Sequence, residues 1–116
     1  MKISEYVRQP IDFLNPSALT EDLAKTTSYY YTCASILSER EEAYATALAE
    51  AIQECELEDI SAKAKEIKAK SLCADKKKDV DSANWLLKSL ELRHKTLITL
   101  ISKAKEELKL STTQGG

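Results

Sequence analysis

The sequence predicts an all-α protein made of two long amphipathic helices joined by a short basic helix. Glycine and proline total four among 116 residues, and none lies between residues 17 and 114. Apolar residues recur every three or four positions in two long runs, as one face of a helix requires. A single chain of two such helices leaves apolar surface uncovered, so we expect a helical-bundle or coiled-coil-like oligomer.

The pattern divides the chain into an N-terminal arm (1–14), one helical domain (15–110) and a disordered tail (111–116). The arm is apolar but interrupted by Pro10, and its apolar content predicts that it docks on another part of the protein. Asn15 and Pro16 predict the start of the first long helix, because Asn is a favoured N-cap and Pro fits the first helical position.

The first long helix is predicted to extend for about forty residues, with Glu41 as the one polar residue on its apolar seam. The seam consists of Leu23, Thr27, Tyr30, Ala34, Leu37, Tyr44, Leu48, Ala51 and Cys55. A break is expected at residues 56–61, where Asp59 or Ser61 can cap a short basic helix. A second turn is expected at residues 71–75, with Asp75 or Asp79 as the cap of the last helix.

The last helix has the most regular pattern, typical of a coiled coil. Its seam consists of Val80, Ala83, Leu87, Leu90, His94, Leu97, Ile101, Ala104 and Leu108. Burial of both seams predicts a homo-oligomer larger than a dimer. The expected oligomer interface comprises Tyr30, Leu37, Tyr44, Leu48, Leu87, Leu90, His94, Leu97 and Ile101.

Charge is segregated along the chain. Residues 1–59 contain four basic and twelve acidic side chains, whereas residues 60–116 contain thirteen and seven. Seven lysines fall within sixteen residues: Lys63, Lys65, Lys68, Lys70, Lys76, Lys77 and Lys78. Such a cluster binds a polyanion through counterion release, or it is only a solvated helix face. The hypothesis we carry forward is sequence-independent binding of single-stranded DNA by these seven lysines.

Three consecutive tyrosines, Tyr29, Tyr30 and Tyr31, point in different directions on a helix. We expect Tyr30 to pack on the seam and its neighbours to lie in subunit contacts. Stacking on unpaired bases is the less favoured alternative for these tyrosines and for Trp85. Base stacking is therefore expected to contribute little to DNA binding.

No arrangement of side chains indicates catalysis. His94 is the only histidine and lies on the core seam, without a nucleophile and an orienting acid at fixed spacing. Cys33, Cys55 and Cys73 are too widely spaced for a metal site, and they are typical of buried thiols in a reducing cytosol. We therefore expect no enzymatic activity, no metal and no cofactor. No apolar run is long enough to span a membrane, so we expect a cytoplasmic protein.

Leu72-Cys73-Ala74-Asp75-Lys76, followed by Asp81 and Trp85, resembles a stretch of the small phage recombination-mediator proteins of the UvsY type. Those proteins have Leu-Ser-Ala-Asp-Lys there, with an aspartate and a tryptophan downstream. The order of helices is similar over residues 17–108. The resemblance implies a non-enzymatic, ring-forming protein whose basic middle segment contacts single-stranded DNA. Its implied partners are a strand-exchange recombinase and the single-strand-binding protein that coats the DNA, in the cytoplasm of the host cell.

Two other classes of function stay open. The first is a small acidic phage inhibitor that binds a host protein through its Glu-rich helix face, at Glu50, Glu54 and Glu58. The second is a purely structural helical assembly module. Binding of oligo-dT that weakens with salt distinguishes the DNA-binding hypothesis from both.

Overall fold

A computed structural model describes the backbone of residues 2–115 and the side chains of residues 2–110. The described residues form four helices and no strand, which confirms the predicted all-α class: α1 (Ile3–Tyr6), α2 (Pro16–Glu56), α3 (Ala62–Leu72) and α4 (Ala74–Gly115). They form two compact units. Unit 1 comprises Met1–Thr32 with Leu86–Gly116, and unit 2 comprises Cys33–Trp85. Both long helices therefore contribute residues to each unit.

The N-terminal ends of α2 and α3 are fixed by side-chain caps. The Asn15 side chain accepts a hydrogen bond from the backbone N–H of Ser17 at 3.1 Å, which confirms the predicted start of α2. Ser61 caps α3, because its hydroxyl oxygen accepts from the backbone N–H of Ala64 at 3.2 Å. Of the two residues proposed for this cap, Ser61 therefore takes the role and Asp59 does not.

The start of α4 differs from the prediction. A single residue, Cys73, separates α3 from α4, and its φ of −103° and ψ of 13° lie outside the α-helical region. The Cys73 carbonyl accepts from the backbone N–H of Lys77 at 3.0 Å. Asp75 lies inside the first turn and Asp79 further along the helix, so the prediction that one of them caps α4 is wrong. Only Cys73 lies between the two helices, so no loop residue is available to cap α4 with its side chain.

Unit 1 is built around α1, the N-terminal part of α2 and the C-terminal part of α4. Leu19, Leu90 and Leu97 are almost fully buried in it. Asp22 pairs with Arg93, and Tyr30 further along α2 bonds Glu91 earlier along α4, so the two helices run in opposite directions. Burial of a leucine side chain contributes about 1.5–3 kcal/mol, which makes these three residues the main apolar support of the unit.

A largely buried polar network holds the arm on unit 1. The Arg93 guanidinium donates to both carboxylate oxygens of Asp22, at 3.1 and 2.7 Å, and to the Gln9 carbonyl at 2.7 Å. It also lies 4.5 Å from the centre of the Tyr6 ring. The Tyr6 hydroxyl donates to the Asp22 carboxylate and lies 2.6 Å from the Thr26 hydroxyl. The predicted docking of the arm therefore occurs, through Tyr6 and Gln9.

This network lowers the pKa of the Asp22 carboxyl group. Burial alone would raise the pKa of Asp22, but hydrogen bonds from Arg93 and Tyr6 and the nearby positive charges outweigh it and lower the pKa. Burial and the bond to Asp22 raise the pKa of Tyr6. The apolar end of the arm takes no part, since Phe13 and Leu14 are 65% and 83% exposed.

Unit 2 has a core of small side chains. Ala51 and Cys55 of α2 cluster with Ala69 of α3 and with Cys73, and Tyr44, Ala47 and Leu48 pack against them. All three cysteines of the chain are free, buried thiols of this unit, and burial raises the pKa of Cys33. Small side chains allow helices to pack closely, but each buries little apolar area.

The predicted seam of α2 is correct at its C-terminal end and displaced at its N-terminal end. Ala51 and Cys55 are buried as predicted. Thr26 and Cys33 are buried instead of Thr27 and Ala34, and Arg40 is half-buried where Glu41 was placed. A straight helix with 3.6 residues per turn drifts by about 20° per heptad from a 3.5-residue pattern. Over the roughly four heptads from Cys55 back to Thr26 this drift amounts to about 80°, or nearly one residue.

Four positions of the α4 seam are buried as predicted: Val80, Ala83, Leu90 and Leu97. Leu87 and His94 are only half-buried, and Arg93 is buried next to His94. Leu90 and Leu97 have no exposed surface within a single chain, because residues of the same chain already cover both side chains. The other proposed positions are half-buried: Tyr30, Leu37, Tyr44, Leu48, Leu87, His94 and Ile101. Within each unit, α2 and α4 of one chain cover much of each other's seams. Assembly into an oligomer stays a prediction. The backbone of α4 is helical to Gly115, over most of the range predicted as a disordered tail, and the side chains of residues 111–116 lie outside the described residues.

Candidate nucleic-acid interface

The seven lysines all belong to unit 2, on α3 and the first turns of α4. Ala69 is the buried position of α3, whereas Lys63, Ile67 and Lys70 are exposed. Lys63, Lys70 and Lys77 are spaced seven residues apart, as on one face of a continuous helix. The helix is interrupted at Cys73, between Lys70 and Lys77. The lysines therefore form two groups on two helices of this unit, not one continuous stripe.

Four of the seven ammonium groups have partners within unit 2. Lys65 donates to the backbone carbonyl of Glu56 at 3.1 Å, at the negative end of the α2 dipole. Lys68 pairs with Glu58, Lys70 with Glu66 at 3.0 Å, and Lys77 with Asp81 at 3.4 Å. Lys77 also lies 5.7 Å from the centre of the Tyr44 ring.

The hydrogen bond to Glu58 raises the pKa of Lys68, and the bond to Glu66 raises the pKa of Lys70. Both lysines keep their charge, but a carboxylate already balances part of it. A phosphate that binds there must compete with that carboxylate.

The remaining three lysines, Lys63, Lys76 and Lys78, are exposed and form no ion pair with any described residue. Lys76 lines a shallow cleft of about 240 Å³ beside Glu39, Arg40 and Asp79. These three side chains are the ones most available to a phosphate backbone.

The segregated charge of the sequence is largely balanced in the fold. Unit 2 contains eight basic and twelve acidic residues, a net charge of −4, because the acidic end of α2 folds against the basic segment. Unit 1 contains nine basic and seven acidic residues, a net charge of +2. The seven lysines of unit 2, together called the basic ridge, therefore lie on a unit of net negative charge. Their electrostatic attraction for a polyanion acts only over a short distance.

The three tyrosines have different environments, all within unit 1. Tyr29 packs edge-to-face on Tyr6, with ring centres 4.8 Å apart. Tyr30 is half-buried and its hydroxyl donates to Glu91 at 3.3 Å; the negative charge of Glu91 raises the pKa of Tyr30. Tyr31 is 70% exposed, with its ring nearly perpendicular to that of Tyr30. Tyr29 therefore packs within its own chain, and Tyr31 is left largely exposed; the expected subunit contacts of these two tyrosines stay a prediction.

Tyr30 and Tyr31 form one side of a cleft of about 310 Å³ in unit 1. Thr27 of α2 and Glu91, His94 and Lys95 of α4 complete its lining. His94, predicted as a core residue, is half-buried and forms part of this cleft. The cleft combines two aromatic rings, one carboxylate and one ammonium group, which suits a planar ligand with polar edges.

Sequence reasoning did not find Glu91 and Lys95 as cleft residues, nor the pairing of Arg93 with Asp22. Position 93 is next to the seam residue His94, and an arginine beside a seam is a weak local signal of a buried partner. Glu91 and Lys95 are spaced as i and i+4 like many surface pairs, so nothing in the sequence distinguishes them.

The Glu-rich face has divided roles. Glu58 is engaged by Lys68, whereas Glu50 lines a shallow groove of about 420 Å³ together with Glu39 and Glu42. Glu54 is exposed. Trp85, expected to pack, is 48% exposed in unit 2.

No helix within the described part of the chain is apolar over a stretch long enough to cross a bilayer. Among the same residues, no three His, Cys, Asp or Glu side chains are grouped so as to hold a metal ion. No family model, curated protein sequence or solved structure matches this chain.

Proposed function

We propose that this protein is a non-enzymatic recombination mediator that binds single-stranded DNA through the exposed lysines of α3 and early α4. The observation that carries the proposal is that Lys63, Lys76 and Lys78 are exposed and unpaired among the described residues. The resemblance to UvsY-type proteins supplies the remaining content. The protein would act in the cytoplasm, of the host cell if it is phage-encoded, and help to load a strand-exchange recombinase onto DNA coated with its binding protein.

Lysine suits the task of a mediator, which must hold the strand and then release it. Its ammonium group is a hydrated point charge that makes exchangeable contacts, without the bidentate fork of arginine. The basic segment contains no arginine between residues 60 and 85. Few unpaired lysines per chain give weak binding, but several copies on one strand gain avidity.

Assembly is part of the proposal and calls for a surface other than Leu90 and Leu97. Unit 2 leaves five large aliphatic side chains 40–93% exposed: Ile52, Leu57, Ile60, Ile67 and Leu72. A contiguous patch of exposed aliphatic side chains is typical of a protein interface, and we propose that these five contribute to one. Light scattering of the parent and of Leu57→Glu tests this assignment, with a lower mass expected for the variant and an unchanged helical signal.

The DNA-binding test uses fluorescence anisotropy of labelled oligo-dT at several salt concentrations. Binding should weaken with a slope of log affinity on log salt of about −0.7 per contacted phosphate. Replacement of Lys63, Lys76 and Lys78 by glutamate should remove most of the affinity. The matched control replaces Lys88, Lys103 and Lys105, three exposed lysines elsewhere, and so makes the same change in net charge.

The control variant should retain most of the binding. Equal losses in the two triple variants would show that only net charge matters, and the basic ridge would then have no special role. Absence of oligo-dT binding by the parent at low salt would refute DNA binding altogether.

The acidic groove of α2 supports a second candidate, a host-protein inhibitor. Glu39, Glu42 and Glu50 surround it on a unit of net charge −4. That function requires a basic surface on the partner protein and no affinity for oligo-dT. The inhibitor candidate is supported only if the parent forms a tight complex with one host protein that is lost when Glu50, Glu54 and Glu58 are neutralised.

A further inference from the structure

We infer that the cleft of unit 1 between Tyr31 and Lys95 is a binding site for one unpaired nucleobase of single-stranded DNA. The inference rests on the proposed function and adds to it a second contact, made to a base and not to phosphates. The cleft lies outside the lysine segment and shares no residue with it.

The aromatic geometry of the cleft favours a flat ligand. The rings of Tyr30 and Tyr31 have centres 6.0 Å apart and planes at 83°, so they form a right-angled corner. Tyr30 is fixed in place by its hydrogen bond to Glu91 at 3.3 Å. The Tyr31 ring is 70% exposed, so most of its surface is accessible to a stacking base. Every base has a π-face, so this contact tolerates any sequence.

Size and charge also fit a base attached to a phosphate backbone. A volume of about 310 Å³ is at the lower end of small-molecule sites, about 300–1,000 Å³, and suits one base better than several. Lys95 is exposed and lines the cleft, where its ammonium can meet the adjoining phosphate. Unit 1 as a whole has a net charge of +2, which favours an anionic strand. Glu91 and His94 provide polar atoms for the edge of the base.

The test compares two oligonucleotides of equal length and charge: oligo-dT and an abasic strand that has the phosphates but no bases. The parent should bind oligo-dT about 5- to 150-fold more tightly, which corresponds to stacking of one base at about 1–3 kcal/mol. Tyr31→Ala should remove this difference and leave the affinity for the abasic strand unchanged. Tyr31→Phe should retain it, because the ring remains.

Phe13→Ala is the matched control, because Phe13 is a 65% exposed aromatic residue of unit 1 that does not line the cleft. It should bind both strands as the parent does. Equal binding of the two strands by the parent would overturn the base site but leave the lysine proposal standing. Binding of neither strand would overturn both. A lower oligomer mass for Tyr31→Ala by light scattering would assign the cleft to a subunit contact, and would also overturn the base site.

Discussion

Arg93 and Asp22 of unit 1 form a bidentate ion pair whose side chains are 7% and 15% exposed, whereas the ion pairs described in unit 2 have side chains 38–62% exposed. Ion pairs therefore have different roles in the two units. A desolvated pair becomes costly to break, because removal of one partner leaves a buried charge. An exposed pair contributes little to stability, so its lysine can exchange a carboxylate for a phosphate.

The apolar cores differ in the same direction. Unit 1 buries leucines, and unit 2 buries mainly alanines and cysteines. A leucine core loses stability when a side chain is truncated, whereas a core of small residues is disrupted when one is enlarged. The two units should therefore respond to opposite kinds of substitution.

The largest effect is expected from Arg93→Met in unit 1. The substitution leaves the Asp22 carboxylate without its partner and releases the Gln9 carbonyl that holds the arm. The free energy of unfolding should fall by about 3–5 kcal/mol, measured by urea denaturation. Arg93→Lys, which keeps the charge but not the bidentate geometry, should give an intermediate loss. A loss below about 1 kcal/mol would mean that the pair behaves like an exposed one.

A smaller effect is expected from Ala69→Leu in unit 2. Ala69 is 1% exposed at the centre of the small-residue core, so the added methylenes must displace α3. Overpacking of this kind typically costs about 1–3 kcal/mol. Ala49→Leu, at an exposed position of α2, is the control and should leave the urea midpoint nearly unchanged. Equal effects of the two substitutions would contradict close packing around Ala69.

A graded effect is expected on acidification. The pKa of Asp22 is lowered from its ordinary value of 3.8, so the unfolded chain binds the proton at a higher pH than the folded protein. The stability that Asp22 contributes is therefore fully present above pH 3.8 and is lost as the pH falls through the lowered pKa. Urea midpoints measured on both sides of that pH should show the loss. The Asp22→Asn variant should show a flatter profile, and an identical profile would argue against this role.

The smallest effect is expected from Glu66→Gln, which breaks the exposed pair with Lys70. The urea midpoint should not change measurably, because an exposed ion pair gains little in water. Oligo-dT binding should become slightly tighter, since a competing carboxylate is removed beside Lys70. Weaker binding would show that Glu66 orients the lysine for its ligand.

Much of the fold could be predicted from local patterns. The near absence of glycine and proline, the spacing of apolar residues and the capping residues Asn15 and Ser61 were sufficient for the helices of the described chain and most of their ends. The α2 seam was displaced near Thr26 because a strict heptad template accumulates error along a long straight helix. The break before α4 lies at Cys73, inside the predicted turn, but the capping prediction was wrong because Asp75 and Asp79 both lie inside the helix.

Less of the candidate site could be predicted, for a different physical reason. The lysines are evident from composition, but the engagement of Lys68 by Glu58 depends on how the chain reverses between α2 and α3. Asp22 and Arg93 are 71 residues apart, so no local pattern can pair them. The exposure of Tyr31 likewise follows from the exact rotation of α2 about its axis, which sequence periodicity determines only to within about one residue.

Because its three thiols are buried, opening of unit 2 can be followed by their chemical labelling. Cys33, Cys55 and Cys73 are 2%, 1% and 4% exposed, and unit 1 contains no cysteine. An alkylating reagent can reach these sulfur atoms only when unit 2 opens, so the labelling rate measures opening of that unit alone. The raised pKa of Cys33 keeps its thiol protonated and slows its reaction further. Labelling in the presence of oligo-dT would then show whether a bound strand slows the opening of the helices that carry the basic ridge.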